Sequence, residues 1–554
     1  MDAAARQAIL IDTLASRLAA GGATLTQYET HLSRVLVTGD YAYKFKKALR
    51  LPFVDFSTLE ARRFYCNEEC RLNRRLAPAL YIDVLPVGGS REHPLLGGAG
   101  PALEYAVRMH AFRQQDLWSA RIAAGVLAEA EVDALARTLA RLHREAAPAP
   151  PGSALGSARA VAAVFEATLG ELARLVGEGA GSESVAQLRQ WQSGQQGGLA
   201  AELECRRTQG RVRECHGDLH CANILTSQDG VQVFDCIEFS DSLRWIDVMD
   251  DLAFVHMDLA RRGRPDLAAS LLNRYLEITG DYAGLRLLPY YRIHRALVRA
   301  KVMLLRAAQP GDPLVRAGDR REGFACLDFA RRCLDPRPVA LMITHGCSGS
   351  GKTVFSRRVV PLLGALQLRS DVERKRLYGL EANHRPDPRA RAALHGSAAT
   401  QRTYAHLAGL AHGVLAAGWP VVVDAAFLHA AERVRFRTLA AELGVPFFIF
   451  DMRVEPATMR GRIAARERAG LDASDADLAV LEAQLPTDEP LTALEEPHAI
   501  AVDAGPAFDA ARVHAACAPV LAALAGMRHG GQAVKPAVQA ARIDPDQTTA
   551  GRPF

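Results

Sequence analysis

The sequence predicts two domains of different build: an α+β domain over residues 1–335 and an α/β domain with a parallel sheet over 336–525. Three observations carry this. The chain has 554 residues, too many for one hydrophobic core. The stretch Cys333-Leu-Asp-Pro-Arg-Pro338 interrupts regular structure and marks a boundary. Beyond it, short apolar strands alternate with helical runs, the rhythm of a parallel sheet covered on both faces.

The elements follow in chain order. Leu36-Val-Thr-Gly-Asp40 and Tyr41-Ala-Tyr-Lys-Phe45 read as a hairpin turning on Gly39-Asp40. Thr58 to Leu76 is charged and helical. Tyr81–Pro86 and Leu103–Met109 read as two further strands. These elements make a strand-rich lobe over about 20–110. A helical lobe follows over 111–335, where Val132, Leu135, Leu139 and Leu142 recur at helical spacing. It is broken by a strand-loop-strand insert at 212–239. In the second domain the predicted strands are Val339–Thr344, Ala365–Leu368, Pro420–Asp424, Pro446–Phe450 and Ala499–Val502. Residues 526–554, rich in Gly, Gln, Pro and Thr, are predicted to be a disordered tail.

Composition narrows the functional classes. Hydrophobic residues make up 49% and charged residues 23%, an ordinary globular balance. The 67 basic residues exceed the 62 acidic ones only slightly, and no basic arm or stripe points to nucleic acid. Arg71–Arg75 and Arg374–Arg376 read as solvated faces. No uninterrupted apolar run reaches the roughly 18 residues of a membrane span, and the amino terminus lacks a signal-peptide layout. The ten cysteines form no C-x-x-C pair, which argues against zinc and for a reducing cytoplasm. The expected partners are small molecules, without nucleic acid or membrane; the oligomeric state stays open.

Cys215-His-Gly-Asp-Leu-His-Cys-Ala-Asn-Ile-Leu225 is the most informative stretch of the first domain, and Val231-Gln-Val-Phe-Asp235 ends a strand on an acid soon after. Phosphoryl transfer needs an oriented acceptor hydroxyl and cations that neutralise the phosphate oxygens. Asp218 can accept the hydroxyl proton, and Asn223 and Asp235 can hold Mg2+. His216 reads as an internal brace, and neither it nor His220 is assigned a proton transfer.

These motifs, together with Trp245-Ile-Asp-Val-Met-Asp-Asp-Leu252, resemble the aminoglycoside phosphotransferase and choline kinase group over about 20–330. The resemblance implies a two-lobed, protein-kinase-like fold, with Asp218 as catalytic base and Asn223 and Asp235 as metal ligands. It further implies that Lys44, with Lys46 as rival, grips the nucleotide phosphates and that Glu69 pairs with that lysine. The strand Glu104–Met109 resembles the hinge whose backbone holds adenine, which points to Val107 and Met109. No G-x-G-x-x-G precedes Lys44; His31–Val37 stands in its place.

Gly346-Cys347-Ser348-Gly349-Ser350-Gly351-Lys352-Thr353 satisfies G-x-x-x-x-G-K-[ST] between a strand and a helix. Its glycines let successive N–H groups converge on phosphate, Lys352 reaches the terminal phosphates, and Thr353 binds magnesium. Residues 339–525 are similar to the gluconate, shikimate and zeta-toxin-like P-loop kinases. That likeness implies a three-layer α/β/α fold, Asp371 as the acceptor's base and Asp424 as the acid supporting magnesium. It also implies an arginine-bearing lid drawn from Arg460, Arg462 and Arg466, and allows Arg374, Lys375 and Arg376 a grip on an anionic acceptor.

The sequence reading is therefore a fused, bifunctional ATP- and Mg2+-dependent phosphotransferase acting on small hydroxylated acceptors. An alternative stays open: a regulatory nucleotide-sensing domain fused to a P-loop ATPase or toxin-like kinase.

Overall fold

A computed structural model describes residues 2–20, 24–51, 54–469, 473–505 and 509–529. The first lobe contains α1 (Ala3–Ala20), β1 (Leu25–Glu29), β2 (Ser33–Thr38), β3 (Tyr41–Lys46) and a short ribbon of β4 (Arg50–Leu51) and β5 (Val54–Asp55). It continues with α2 (Leu59–Asn73), β6 (Tyr81–Gly89), β7 (Pro94–Leu96) and β8 (Glu104–His110). The main sheet runs β1-β2-β3-β8-β6-β7 and is antiparallel throughout. The predicted hairpin forms: Thr38 pairs with Tyr41, and Gly39 turns the chain at φ 55°.

Alternation along β3 sorts its residues between two faces. Phe45 packs with Leu36, Val87 and Ala106 against Ile11 and Leu14 of α1. Ala42 faces α2, in a cluster with Cys66, Cys70, Val107 and Met109. Helix α1 therefore belongs to this lobe, which begins earlier than the 20–110 read from sequence.

The helical lobe comprises α3 (Trp118–Ala123), α4 (Glu129–Glu145), α5 (Ala158–Val176) and α6 (Ser182–Thr208). The small strands β9 (Val212–Glu214), β10 (Ile224–Ser227) and β11 (Gly230–Val233) follow, then α7 (Asp241–Arg244), β12 (Trp245–Asp247) and α8 (Val248–Arg261). Helices α9 (Pro265–Thr279), α10 (Leu288–Ala308) and α11 (Pro313–Arg332) complete it.

The second domain opens with β13 (Leu341–His345), α12 (Lys352–Leu363), β14 (Leu366–Arg369), α13 (Ser370–Leu377), α14 (Pro388–Leu394), α15 (Ser397–Ala416) and β15 (Val421–Asp424). It closes with α16 (Ala430–Leu443), β16 (Phe447–Arg453), α17 (Pro456–Ala469), α18 (Leu478–Gln484), β17 (Ala499–Asp503) and α19 (Ala510–His529). Its five strands form a parallel sheet in the order β14-β15-β13-β16-β17. Of the segment read as a tail, 526–529 end α19, and 530–554 lie outside the described residues. Among the described residues one helix is long and apolar enough to cross a membrane, within Ala510–Met527. There, Val513, Cys517 and Val520 pack against Phe355 and Val359 of α12.

One buried hydrophobic cluster crosses the domain boundary. Leu271 and Leu272 of α9 and Phe329 of α11 belong to the same buried cluster as Leu341, Leu366 and Trp419. His256 meets the Trp419 ring edge-on, and the Arg337 guanidinium lies 4.0 Å from that ring's centroid.

Candidate functional sites

The first site lies between the two lobes. Lys44 on β3 donates to Glu69 Oε1 of α2 at 2.8 Å and pairs with Asp235, which follows β11. Three separate elements thus converge on one ammonium group. Lys46, two residues on, pairs with Glu69 Oε2 at 2.7 Å and with Glu238. It is only 1% exposed, so position separates the two rivals: Lys44 meets Asp235, and Lys46 is enclosed. Burial pushes the Glu69 carboxyl up, but the two ammonium groups overcome it and hold the group below the ordinary carboxylate range.

Asp218 sits on the loop between β9 and β10, with its side chain one-third exposed (33%). Asn223 Nδ2 donates to the Asp218 backbone oxygen at 3.0 Å and to its Oδ2 at 3.2 Å. The Asn223 carbonyl accepts from Phe234 N at 3.0 Å, which ties it to the residue before Asp235. Asp218, Asn223 and Asp235 are therefore brought together. Asp235 adopts a positive φ of 65°, a conformation aspartate tolerates better than most residues. Burial raises the Asp218 carboxyl, but the neighbouring His220 and Arg299 outweigh that and keep it well below its ordinary value.

His216 braces the loop. Its Nε2 faces the Phe234 carbonyl at 2.9 Å and its Nδ1 accepts from Asp218 N at 3.2 Å, while burial lowers its pKa. A neutral imidazole protonated on Nε2 satisfies both contacts. Sequence reasoning assigned no role to the rest of the brace. Asp251, at the start of α8, accepts the backbone N–H groups of His216 and Gly217 at 3.1 and 2.9 Å. Arg295 of α10 donates to the Gly217 carbonyl and, bidentately, to Asp250. Asp250 and Asp251 stood in the quoted motif, but a partner 45 residues away leaves no local signal.

One correction concerns the adenine contact. Val107 lies between Lys44 of β3 and Val84 of β6, and Met109 between Ala42 and Tyr81. With a strand on each side, their backbone groups face the ladders, and both side chains are buried. The chain leaves the sheet only after His110, so main-chain groups free of the ladders begin there and not at Val107 or Met109.

The second site is a cleft of about 860 Å³. It is lined by Ser348, Gly349, Gly351, Lys352 and Thr353 on one side and by Asp371 and Asp424 on another. Gly346, Gly349 and Gly351 all have positive φ, so the loop uses the conformations only glycine adopts freely. Lys352 Nζ folds over its own loop, donating to the carbonyls of Gly346 at 2.8 Å and Cys347 at 2.7 Å. Thr353 hydrogen-bonds Asp424, whose carboxyl is raised by burial against the opposing pull of Arg369. Gln367 Nε2 donates to Asp424 Oδ2 at 2.9 Å.

The predicted lid divides. Arg462 and Arg466 line the cleft, with Arg462 donating to the Ala504 and Gly505 carbonyls at 2.8 and 2.6 Å. Arg460 turns outward to Glu482. The Arg374–Arg376 run is not a solvated face. Lys375 is buried against Asp475 and three backbone carbonyls, Arg376 joins Glu373 and the Glu277 carbonyl, and only Arg374 lines the cleft. His395, Tyr404, Glu432 and Gln484 also line it and were not singled out from sequence.

Comparison with known proteins agrees with this division. The family described as "Phosphotransferase enzyme family" matches residues 74–288, and that described as "AAA domain" matches 341–491. Uncharacterized protein Rv2004c of Mycobacterium tuberculosis is 30% identical over 456 residues, covering 82% of this chain and 89% of that protein. A choline kinase from Cryptosporidium parvum covers 59% of this chain and 93% of its own at 9% identity and a TM-score of 0.38. A gluconokinase from Sinorhizobium meliloti covers 35% and 95% at 21% identity and a TM-score of 0.25. The chain belongs to one family with the mycobacterial protein, and within it a region matching the phosphotransferase enzyme family precedes one matching the AAA domain.

Proposed function

We propose that the chain is an ATP-dependent phosphotransferase with two sites, each moving the γ-phosphoryl group to the hydroxyl of a small acceptor. The observation that carries this is the convergence of Lys44, Glu69 and Asp235 beside the Asp218–Asn223 pair. No local turn requires those five residues to meet.

Oxygen donors are what a hard cation such as magnesium takes. At the first site Asp235 supplies a carboxylate, and Asn223, whose Nδ2 is engaged by Asp218, has its amide oxygen left to offer. Thr353 and Asp424 offer a hydroxyl and a carboxylate at the second. Magnesium bound there would neutralise the phosphate oxygens. Lys44 and Lys352 would hold the terminal phosphates. Asp218 at the first site, and Asp371 at the second, would take the acceptor's hydroxyl proton as its oxygen attacks the γ-phosphorus. The bond to the bridging oxygen then breaks, and ADP leaves.

The second cleft carries more cationic than anionic side chains, with Arg357, Arg374, Arg462 and Arg466 among its lining. Arg374 is 8% exposed, and its buried Nε has no hydrogen-bond partner among the described residues. An acceptor bearing an acid group beside its hydroxyl fits that lining.

The test is a screen of hydroxylated metabolites and aminoglycosides with labelled ATP, using the full chain, Asp218→Ala and Lys352→Ala. Each variant should lose one phosphorylated product by roughly 10²- to 10⁴-fold and keep the other. If Asp218→Ala still binds ATP and keeps every product, the first domain is a nucleotide sensor instead. Rapid ATP hydrolysis without an acceptor, abolished by Lys352→Ala, would make the second domain an ATPase.

A further inference from the structure

The open edge of the second domain's sheet is closed by the first domain, and that closure reaches the magnesium acid. Strand β14 pairs on one side with β15 and is the last strand of the sheet. An edge strand presents unpaired N–H and C=O groups. On its outer side lies α9 of the helical lobe, where Asn273 Oδ1 accepts the backbone N–H of Gln367 at 2.7 Å. The same Gln367 extends its side-chain Nε2 to Asp424 Oδ2 at 2.9 Å.

A second line runs parallel to the first. One turn further along α9, Glu277 Oε1 accepts from Arg369 Nη1 at 2.9 Å. Arg369 Nε lies 4.0 Å from that same Asp424 Oδ2. Glu277 Oε2 is held by Arg274 Nη1 at 3.2 Å, and Arg274 is anchored to Asp133 of α4 at 2.8 Å. The side chains of Glu277, Arg369 and Asp424 are 7%, 5% and 4% exposed. Charges so enclosed interact strongly, and a buried guanidinium that loses one carboxylate is left undercompensated beside those that remain, Asp424 among them.

We propose that Glu277, a residue of the first domain, is a positioning residue for the second: it draws the Arg369 guanidinium back from Asp424 and so keeps that carboxylate open to magnesium. Asn273 acts beside it in a different way: it fixes the backbone of Gln367, whose side chain donates to Asp424 and orients the carboxylate. The inference rests on the reading of Asp424 as the magnesium acid. It makes the helical lobe of one domain a working part of the other domain's site.

The test is the magnesium dependence of the P-loop site, read both as magnesium binding by calorimetric titration and as turnover, on the full chain in the Asp218→Ala background. Glu277→Gln keeps the shape and removes the charge. It should raise the magnesium concentration for half-maximal rate roughly tenfold, with the rate at saturating magnesium within about twofold. Adding Arg369→Gln should bring the magnesium dependence back toward its starting value, because the competing cation is gone. The first site, followed in the Lys352→Ala background, should not respond to Glu277→Gln. An unchanged magnesium dependence in a Glu277→Gln protein with a native melting profile overturns the proposal, as does a double variant that is not restored. Should Glu277→Gln unfold, Asn273→Ser supplies the same readout with the charges intact, and its half-maximal magnesium concentration must also rise. Asp424→Asn separates the two layers: if it leaves the magnesium dependence unmoved, the metal reading of the cleft fails, and the inference falls with it.

Discussion

Lys44 and Lys46 stand two residues apart on one face of β3, and their surroundings divide their work. Lys46 is enclosed by Glu69, Glu238 and the Phe56 ring, whose centroid lies 5.2 Å from its Nζ. Replacing it by methionine strands the buried Glu238 carboxylate, since Glu69 keeps Lys44, at a cost of about 3–5 kcal/mol. Lys44→Met should cost less stability and more turnover, since Glu69 keeps Lys46 and Asp235 is 42% exposed. Chemical denaturation beside first-site kinetics separates the two. Equal loss of stability in both variants would contradict the division. Glu69 adds a pH dependence. A carboxyl held below its unfolded value stabilises fully above that value, 4.5, and loses the contribution as pH falls through the folded one. Glu69→Gln should therefore flatten the acid limb of the stability profile. Sequence alone placed both lysines on one face, because alternation fixes that. It left their order open, because burial depends on where Glu238 folds back.

At the scale of elements, the phosphate loop and the lid are one packed unit. Gly349 has φ 81°, and a Cβ there would lie 2.7 Å from the Met459 carbonyl oxygen of α17. Gly349→Ala should thus cost about 1–3 kcal/mol and weaken ATP binding, as thermal melting with and without nucleotide would show. His345 at the end of β13 ties the loop's strand to Asp451 of β16 at 2.9 Å and to Asp488, in the segment after α18, at 3.1 Å. Burial lowers its pKa, but the two carboxylates prevail and raise it. The stabilisation is complete below the ordinary value of 6.5 and fades as pH rises through the folded one. His345→Asn should therefore lower the melting temperature at about pH 6 and converge with the parent protein at about pH 9. The five parallel strands were legible because each is a short apolar run between helices. The lid was half legible. Arginine spacing marks a helix, yet only the fold shows Arg460 turning to Glu482 while Arg462 and Arg466 face the cleft.

For the whole molecule, the boundary at 333–338 is real in sequence and faint in packing. Helix α8 presents Asp251 to the first site's loop, and its neighbour α9 closes the sheet edge of the second. The continuous core across that boundary predicts a single cooperative calorimetric transition for the full chain. Two independent transitions would contradict it. None of this joint was legible from sequence, because Asn273 and Glu277 meet partners more than 90 residues away and look like ordinary polar positions on a helix. The central claim remains that two separate pockets each take ATP. Calorimetric titration of the full chain with a non-hydrolysable ATP analogue and magnesium tests it most directly. The account predicts two equivalents bound per chain, falling to one in Lys352→Ala. A single equivalent in the parent protein, lost altogether in Lys352→Ala, would contradict it.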